Sequence, residues 1–467
     1  MSVLTAAAIR AELPPLLRLS WPIVGAQLAF MAIGVTDTIL AGHLSARDLA
    51  AVAVGANLWM LFFVGFMGIC MAMSPMVAQL IGQGRDREAL AGTVQHGMGL
   101  ALVLGLVWGL LQWQLSPWVV GALALPAPTE ALAIGYLRAA AFAAPLNCLA
   151  FMLRYAAEGA GNSRPVLFAG VLAFVVNAVA DYGFMYGAWG LPAMGAVGCG
   201  WATALASVAM FASLALSCTR RGPLREFSPW RRPVPGVLKT SADILRLGVP
   251  IALIWLAEAG LFAGAGLLAA RLGEVPAAAH QIAINVAAVA FMVPMGIGLA
   301  ATARVGQAAG AGRPDQVAVR SLTAIGVAVL FAAASALCML LLPRAIVGLY
   351  TDAPAVLGMA SGFLFYAALF QLFDCVQATA SGCLRGLKDT RGPMWITVTA
   401  YWIVGLPLGA GGAFALGFGP DGLWYGLIAG LAVAAVGLSL RLRGRLRRLA
   451  RQSARAPGGG VVPPAGH

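Results

Sequence analysis

Apolar stretches long enough to cross a bilayer recur along the whole chain. Each extends for about 20 residues and ends at charges, glycines or prolines, as expected of a transmembrane helix. They centre near residues 30, 62, 105, 141, 176, 205, 257, 289, 330, 368, 405 and 431. Because the connections between them are short, neighbouring helices must be antiparallel. The pattern predicts an all-α integral membrane protein with 12 transmembrane helices.

The composition agrees with a membrane protein. Of 467 residues, 61% are hydrophobic and 10% are charged, and the mean hydropathy is +0.87. An average soluble domain is about half apolar and about a quarter charged. The first apolar stretch lacks a small-residue cleavage site, so we interpret it as a retained helix. The seven cysteines fall mostly in apolar stretches without a CxxC pair, which predicts neither a disulfide framework nor a transition-metal site.

The basic residues are unevenly distributed between the two sides of the predicted bundle. The termini and the even-numbered loops, with their flanking helix ends, hold 26 of the 30 Lys and Arg, and the other four are Arg47, Arg138, Arg271 and Arg344. The positive-inside rule therefore predicts that both termini are cytoplasmic. This placement accounts for the net charge of +13 without a nucleic-acid partner. We expect the arginine-rich C-terminal tail to bind the headgroups of membrane lipids.

The two halves of the chain are internal copies of each other. LLRLSWPI around Pro22 recurs as ILRLGVPI around Pro250, an offset of 250 − 22 = 228. At that offset, 23 of the 69 residue pairs from Leu17 to Arg85 are identical. The offset contains six predicted helices, so both copies enter the membrane from the same side. Substrate sites in such proteins lie near the midplane between the repeats.

The repeat divides the chain into two six-helix lobes. We predict an N-terminal lobe over residues 1–218 and a C-terminal lobe over 241–441. A cytoplasmic linker, basic and rich in proline, is predicted over 219–240, and a disordered basic tail over 442–467. The linker is not expected to carry catalytic chemistry.

Four carboxylates fall inside the predicted spans. They are Asp37 in helix 1, Asp181 in helix 5, Glu258 in helix 7 and Asp374 in helix 10. A charge at the bilayer centre costs at least about 2.5 kcal/mol, and the sequence places no Lys or Arg at a comparable depth. Each acid is therefore expected to be protonated, to bind a cation or to face water.

Amide side chains accompany these acids. Asn177 precedes Asp181 by four residues and shares its helix face, and Gln281 and Asn285 repeat that spacing in helix 8. Carboxylate and amide oxygens together suit a hard cation or a transferred proton. Alternatively, these groups form interhelical hydrogen bonds only, worth about 0.6 kcal/mol each in membranes. For Asn285 and its repeat partner Asn57 both interpretations stay open.

At these residues the chain resembles the multidrug and toxic compound extrusion (MATE) family, specifically its NorM branch. The similarity covers all but the C-terminal tail. Its marks are VTDTILAGHL around Asp37, SPMVAQLIGQGR after helix 2, VVNAVADYGFMYG around Asn177, GCGWATA around Thr203, Glu258 in helix 7, and the segment from Asp374 to CLRGLKDT. The resemblance implies a V-shaped bundle in the bacterial inner membrane. It also implies a monomer that exports cationic or amphipathic small molecules in exchange for Na+ or H+, with no cofactor.

The resemblance also implies site residues. Glu258 and Asp374 match the cation site that the NorM branch has in its C-terminal lobe. The N-terminal polar cluster of the DinF branch is matched by Asp37, Asn177, Asp181 and Thr203. The chain therefore combines both acidic sites, which leaves the coupling ion and its stoichiometry open.

The repeat assigns further candidates by position. An offset of 374 − 147 = 227 pairs Asn147 with Asp374, so Asn147 is the neutral counterpart of an acid in the N-terminal lobe. Pro22 and Pro250 are matched prolines and possible hinges, with a purely structural kink as the alternative. Glu158 follows Arg154 by four residues near a helix end and is interpreted as an interfacial ion pair.

Other functions are less well supported. A lipid-linked saccharide flippase of the same superfamily is expected to have additional helices or cavity-lining cations, and the sequence shows neither. A major facilitator carrier also has parallel halves, but its expected acidic and Arg-rich signature between helices 2 and 3 is only faintly matched by GQGRDRE. An intramembrane enzyme finds no support in an HExxH or GxSxG motif.

Overall fold

The computed structural model describes residues 5–219, 224–227 and 236–455. Within these ranges the regular structure is helical throughout, as predicted. In chain order, helices α1 to α16 are Ala6–Leu44, Ala46–Cys70, Met73–Gly82, Arg87–Gly121, Ala127–Ala141, Ala143–Gly159, Arg164–Tyr186, Ala196–Ser217, Val237–Arg271, Glu274–Gly310, Pro314–Leu341, Pro343–Gly348, Pro354–Gly386, Arg391–Val398, Leu406–Ala410 and Pro420–Arg455.

The helices account for the predicted spans. In the described residues, eleven helical segments are long and apolar enough to cross a membrane, and α5 with α6 makes a twelfth if the pair is one span. These two helices meet at a bend of 45°. Pro145, in the first turn of α6, has no N–H to donate to the preceding turn, which favours a break there. The span Arg391–Ala415 combines α14 and α15 with two π-helical segments.

The two ends of the bundle differ in charge. α1 begins and α16 ends at one end, together with the connections α3–α4, α6–α7, α8–α9, α10–α11 and α13–α14. We call this the basic end, because these segments hold most of the Lys and Arg of the chain. The opposite end, where α1 turns into α2, is the far end.

The predicted segment boundaries need two corrections. α9 begins at Val237, inside the predicted linker, and α16 continues to Arg455, so the predicted tail is helical in its first part. Leu442, Leu446 and Leu449 recur on one face of α16 and pack against the core, which extends the helix past the predicted boundary. The remaining parts of the predicted linker and tail, 220–223, 228–235 and 456–467, lie outside the described residues.

The lobes, α1–α8 and α9–α16, contact each other through glycines at positions that the repeat pairs. A Cβ on Gly68 of α2 would lie 2.5 Å from the Cα of Ala252 on α9. The matched contact joins Gly296 of α10 to Val24 of α1, and a Cβ there would overlap the valine side chain. Both partners are shifted by 228 residues. The sequence repeat is therefore also a repeat of contacts.

A second set of paired contacts lies at the basic end. Gln79 Nε2 donates to the carbonyl oxygen of Gly386 at 2.9 Å, and the repeat partner Gln307 donates to Gly159 at 3.1 Å. A Cβ on Gly82 would overlap the carbonyl of Gln307, and one on the matched Gly310 would overlap that of Gln79. We call this set the basic-end closure; its members are Gln79, Gly82, Gly159, Gln307, Gly310 and Gly386. It joins the two lobes through backbone groups on both sides.

An ion-pair cluster adds to these contacts at the same end. Glu12 of α1 accepts two hydrogen bonds from Arg304 of α10, at 2.7 and 2.6 Å. Arg320 of α11 lies 3.5 Å from the same carboxylate. The first turns of the N-terminal lobe are thereby attached to two helices of the C-terminal lobe.

Candidate functional site

The acids of the N-terminal lobe lie together in its interior. Asp37 of α1 is 6% exposed, and Asp181 and Asn177 of α7 are fully buried. With its amide nitrogen oriented toward the acids, Asn177 donates to Asp37 Oδ1 at 3.0 Å and to Asp181 Oδ2 at 3.1 Å. The other oxygen of Asp181 has no hydrogen-bond partner among the described residues. Two like charges this close are costly, so the cluster favours a bound proton or cation.

A cavity of about 270 Å³ opens beside this cluster. Asp37, Asn177, Thr203 and Asn147 all line it. Thr203 donates to the Cys199 carbonyl at 3.1 Å, and Ser207 donates to Asn147 Oδ1 at 3.2 Å. The rest of the wall is mostly apolar and aromatic, with Phe30, Met31, Trp59, Met60, Phe63 and Tyr136. The structure thus brings together all five residues that the sequence selected in this lobe.

Cys199 is a member of the cluster that sequence reasoning missed. Its sulfur lies within 4.8 Å of carboxylate oxygens of both Asp37 and Asp181. The sequence suggested only a small buried residue, because the thiol sits in an apolar helix without a nearby histidine. The residue comes from α8, so only the tertiary packing of three helices reveals it.

The acids of the C-terminal lobe form a second pair. Glu258 of α9 and Asp374 of α13 line one cavity of about 160 Å³, with Phe262, Phe291 and Phe370 in its wall. Both carboxyl groups are buried, at 8% and 3% exposure. One oxygen of Asp374 has no hydrogen-bond partner among the described residues. Both acids therefore line one cavity, as a shared site in this lobe requires.

The amides predicted beside this pair lie elsewhere. Gln281 donates to Asn285 at 3.3 Å in a partly exposed position, and neither lines the cavity of the two acids. α10 presents Ile284, Ala287 and Ala288 to that cavity instead. The spacing placed both amides on one helix face but did not determine where the face points.

Gln377 takes the place of the predicted amides. It interacts with Glu258 and donates to the Tyr401 hydroxyl at 2.9 Å. It lies three residues after Asp374 on α13, a spacing that could have identified it in the sequence. An acid, an amide and a phenol therefore converge in this lobe.

Comparison with known families assigns this architecture. The MatE family profile matches the chain twice, at residues 22–183 and 250–410. The chain belongs to the MatE family. The two matches begin 250 − 22 = 228 residues apart, which is the offset of the repeat found in the sequence.

The alignments with named relatives cover nearly the whole length of the MatE chain. Probable multidrug resistance protein NorM of Acinetobacter baylyi is 39% identical over 455 residues, covering 96% of this chain and 99% of the relative. Multidrug resistance protein PmpM of Pseudomonas aeruginosa is 37% identical over 458 residues, covering 96% and 94%. The resemblance to the MATE family and its NorM branch is confirmed.

Solved structures of MATE proteins have the same fold. The eukaryotic MATE transporter AtDTX14 matches with a TM-score of 0.83 at 19% identity, over 95% of this chain and 99% of that one. A MATE structure described as the bent conformation matches with a TM-score of 0.85 at 22% identity, over 96% and 100%. The predicted MATE-type membrane fold is confirmed.

A buried ionic group lies between the two acidic clusters and the basic end of this MatE bundle. Arg154 donates to Glu158 Oε1 at 2.8 Å and also to the Gln27 side chain, and its guanidinium lies 5.1 Å from the Phe30 ring centroid. Arg154 is 2% exposed and Glu158 is fully buried, so the predicted interfacial pair is in fact internal. Arg385 of the other lobe interacts electrostatically with Glu158.

Arg385 corrects another expectation. The sequence indicated no basic residue near the depth of the acids, yet Arg385 and Glu258 line the same small cavity. Arg385 also occupies the position that the 227-residue offset pairs with Glu158. Matched positions in the two lobes therefore carry opposite charges, and each precedes a glycine of the basic-end closure.

We expect Arg154→Met to destabilise the protein by about 3 to 5 kcal/mol. The substitution leaves the Glu158 carboxylate buried without its ion-pair partner. The double variant Arg154→Met/Glu158→Gln should recover most of the loss, because it removes both charges of the ion pair. Thermal unfolding in detergent measures both variants. Equal melting temperatures for the single variant and the wild type would contradict the assigned pairing.

Proposed function

We propose that this chain is a multidrug efflux antiporter that exports cationic or amphipathic small molecules in exchange for Na+ or H+. The observation that carries the proposal is the buried Asp37–Asn177–Asp181 cluster, which lies against a largely aromatic cavity. An apolar wall with one acidic group suits a lipophilic cation. The names of the relatives support multidrug export.

Exchange follows from competition for the same acids. Asp37 belongs both to the buried cluster and to the cavity wall, so an incoming coupling ion and an outgoing cation meet at one carboxylate. A loaded cluster is close to neutral and can be enclosed in an apolar interior, whereas an empty, charged one requires water. The ion therefore favours one conformation over the other, which is the requirement for coupling.

Glu258, Asp374 and Gln377 provide a second cation or proton site in this proposal. Two carboxylates lining one apolar cavity cannot both remain ionised without a counter-ion. Arg385, which shares a cavity with Glu258, connects this site to the contact surface between the lobes. The chain then couples export through both lobes, with Na+ or H+ as the ion.

Alternating access by rocking is the proposed motion. The glycine contacts and the basic-end closure are repeated by symmetry, so they can separate together when the lobes rock against each other about an axis in the membrane plane. Pro22 and Pro250, buried within the continuous helices α1 and α9, are proposed hinges, since each removes one backbone hydrogen bond. The basic end is proposed to face the cytoplasm of a bacterial inner membrane.

The test is transport by purified protein in proteoliposomes. Uptake of a fluorescent lipophilic cation should require an imposed Na+ or H+ gradient, and the gradient that drives it identifies the ion. Uptake that is unaffected by either gradient would reject the antiport mechanism. Transport of a lipid-linked saccharide without transport of the cation would instead favour a flippase.

Glu258→Gln should reduce ion-driven export and leave substrate binding largely intact. The substitution keeps the shape of the side chain but removes the charge that would attract the ion to the C-terminal cavity. Tryptophan-fluorescence titration measures binding, and proteoliposome uptake measures export. Glu274→Gln, at an exposed position at the start of α10, is the matched control and should transport as wild type. Unchanged export by Glu258→Gln would limit coupling to the N-terminal lobe.

A further inference from the structure

A cleft at the basic end of the C-terminal lobe carries a concentration of positive charge. It has a volume of about 540 Å³ and lies between the start of α9, the connection between α13 and α14, and the end of α16. Five basic and two acidic side chains line it, which gives 5 − 2 = 3 net positive charges. They are Arg246, Lys388, Arg391, Arg441, Arg445, Asp243 and Asp389.

One of the two acids already forms ion pairs with two of the arginines. Asp389 accepts hydrogen bonds from Arg441 at 2.9 and 2.8 Å and from Arg445 at 2.6 Å. Burial raises the pKa of Asp389, but the hydrogen bonds and charges of the two arginines outweigh it and lower the pKa overall. The carboxylate therefore stays ionised and holds both guanidinium groups at the cleft.

Packing fixes one of these arginines further. The Arg441 guanidinium lies directly against Gly392, where any Cβ would overlap it. Arg441 and Arg445 nevertheless remain 35% and 41% exposed, so each keeps donors for a ligand. Oriented guanidinium groups lose less entropy when they bind, and their planar fork suits phosphate oxygens.

The other three basic side chains are exposed, and none of them forms a short ion pair among the described residues. Within the described ranges, Arg246, Lys388 and Arg391 form no ion pair shorter than 4 Å. Asp243 is the one acid in the wall that no arginine holds. A cleft with this excess of cations suits a group with two negative oxygens or more.

The position of the cleft relative to the ends of the apolar spans indicates the source of this anionic group. Arg246 directly precedes the apolar part of α9, Gly386 ends α13, and Arg391 begins the next span. These residues lie where helices leave the hydrocarbon, at the level of lipid headgroups. Basic pockets between spanning helices on the cytoplasmic side commonly bind anionic headgroups.

We propose that this cleft binds the phosphate group of an anionic phospholipid. Arg246, Lys388 and Arg391 bind the headgroup directly, and Arg441 and Arg445, held by Asp389, complete the site. A bound lipid would join α9, α13, α14 and α16 at the foot of the proposed Pro250 hinge. The proposal concerns the C-terminal lobe alone and is independent of the transport activity.

The repeat provides a matched control. Offsets of 228 and 227 place Arg18 and Arg164 of the N-terminal lobe opposite Arg246 and Arg391, but Gly161 stands at the position of Lys388. Arg18 and Arg164 are also exposed. The double variant Arg18→Gln/Arg164→Gln thus removes basic residues at an equivalent height without touching the cleft.

The experiment compares full-length proteins by native mass spectrometry and thermal unfolding. Phosphatidylglycerol should bind and raise the melting temperature of the wild type, whereas phosphatidylcholine should not. Arg246→Gln/Lys388→Gln/Arg391→Gln should weaken phosphatidylglycerol binding about 100-fold, at about fivefold per side chain. The N-terminal double variant should bind like the wild type. Because the three side chains are exposed, single variants remain available if the triple variant unfolds.

Two outcomes would overturn the proposal. Equal binding of phosphatidylglycerol by the triple variant and the wild type would show that the lipid binds elsewhere. Protection by inorganic phosphate at millimolar concentration, with none from phosphatidylglycerol, would assign the cleft to a soluble anion and reject the lipid.

Discussion

Asp37→Asn should abolish ion-driven export and should weaken binding of a cationic substrate by a smaller factor, because Asp37 also lines the substrate cavity. The variant retains the size of the side chain and removes one of the two charges in the buried cluster. Moving one charge through 100 mV is worth about 2.3 kcal/mol, or about 50-fold in the gradient that the transporter can sustain. We therefore expect the substrate gradient to fall by about that factor when the ion no longer loads at Asp37.

The measurement separates coupling from binding. Proteoliposome uptake under Na+ and H+ gradients reports coupling, and equilibrium titration of the same preparation reports substrate affinity. Asp352→Asn, which removes an exposed carboxylate after α12, controls for the loss of one negative charge. If Asp37→Asn sustains the same substrate gradient as the wild type, the cluster is an interhelical hydrogen-bond network and the proposed mechanism fails.

The sequence predicted the fold and the N-terminal cluster because both leave strong local signals. The twelve apolar stretches and the 228-residue repeat are visible without any tertiary information. Asp37 and Asp181 stand out since charged groups are costly in a membrane, and the four-residue spacing adds Asn177 to the same helix face. The rotation of each helix about its axis could not be predicted, because a helix that is apolar on all faces gives little information about which face points inward.

Because the rotation of each helix about its axis was unknown, the amides predicted beside the C-terminal acids were wrong. Gln281 and Asn285 share a face of α10 that does not point to Glu258, whereas Gln377 of α13 does reach it. Arg385 and Glu158 follow apolar or small residues near helix ends, so nothing local distinguishes a buried pair from an interfacial one. The spacing of Leu442, Leu446 and Leu449 indicates that α16 continues past residue 441. The many arginines between these leucines instead favoured the prediction of a disordered tail.

The combination of sites in this chain has a mechanical consequence. Asp37 lies in the half of α1 nearer the far end, whereas Glu158 and Arg385 lie beside the glycines of the basic-end closure. In the proposed rocking mechanism, loading of an acid near the far end changes the contacts at the basic end. The repeat-matched glycines are suited to transmit this change, because both halves of the closure must form or break together.

Gly82→Ala and Gly310→Ala should each open the basic end. A Cβ at either position overlaps a backbone carbonyl of the opposite lobe, and carbonyl groups held in a helix cannot move aside as a flexible side chain would. Overpacking of this kind costs about 1 to 3 kcal/mol, so the population closed at the basic end should fall about 5- to 150-fold relative to the open one. Because the two sites are related by the repeat, their effects should be similar in size.

Spin labels measure this shift directly. In a Cys338→Ala background, which removes the exposed native thiol, labels at Arg85→Cys and Arg313→Cys span the basic end, and labels at Arg47→Cys and Glu274→Cys span the far end. Each glycine variant should lengthen the first distance and shorten the second. Gly99→Ala, a helical glycine beside open space, should change neither. Unchanged distances in both glycine variants would show that these contacts do not hold the lobes together, and the rocking motion would need another pivot.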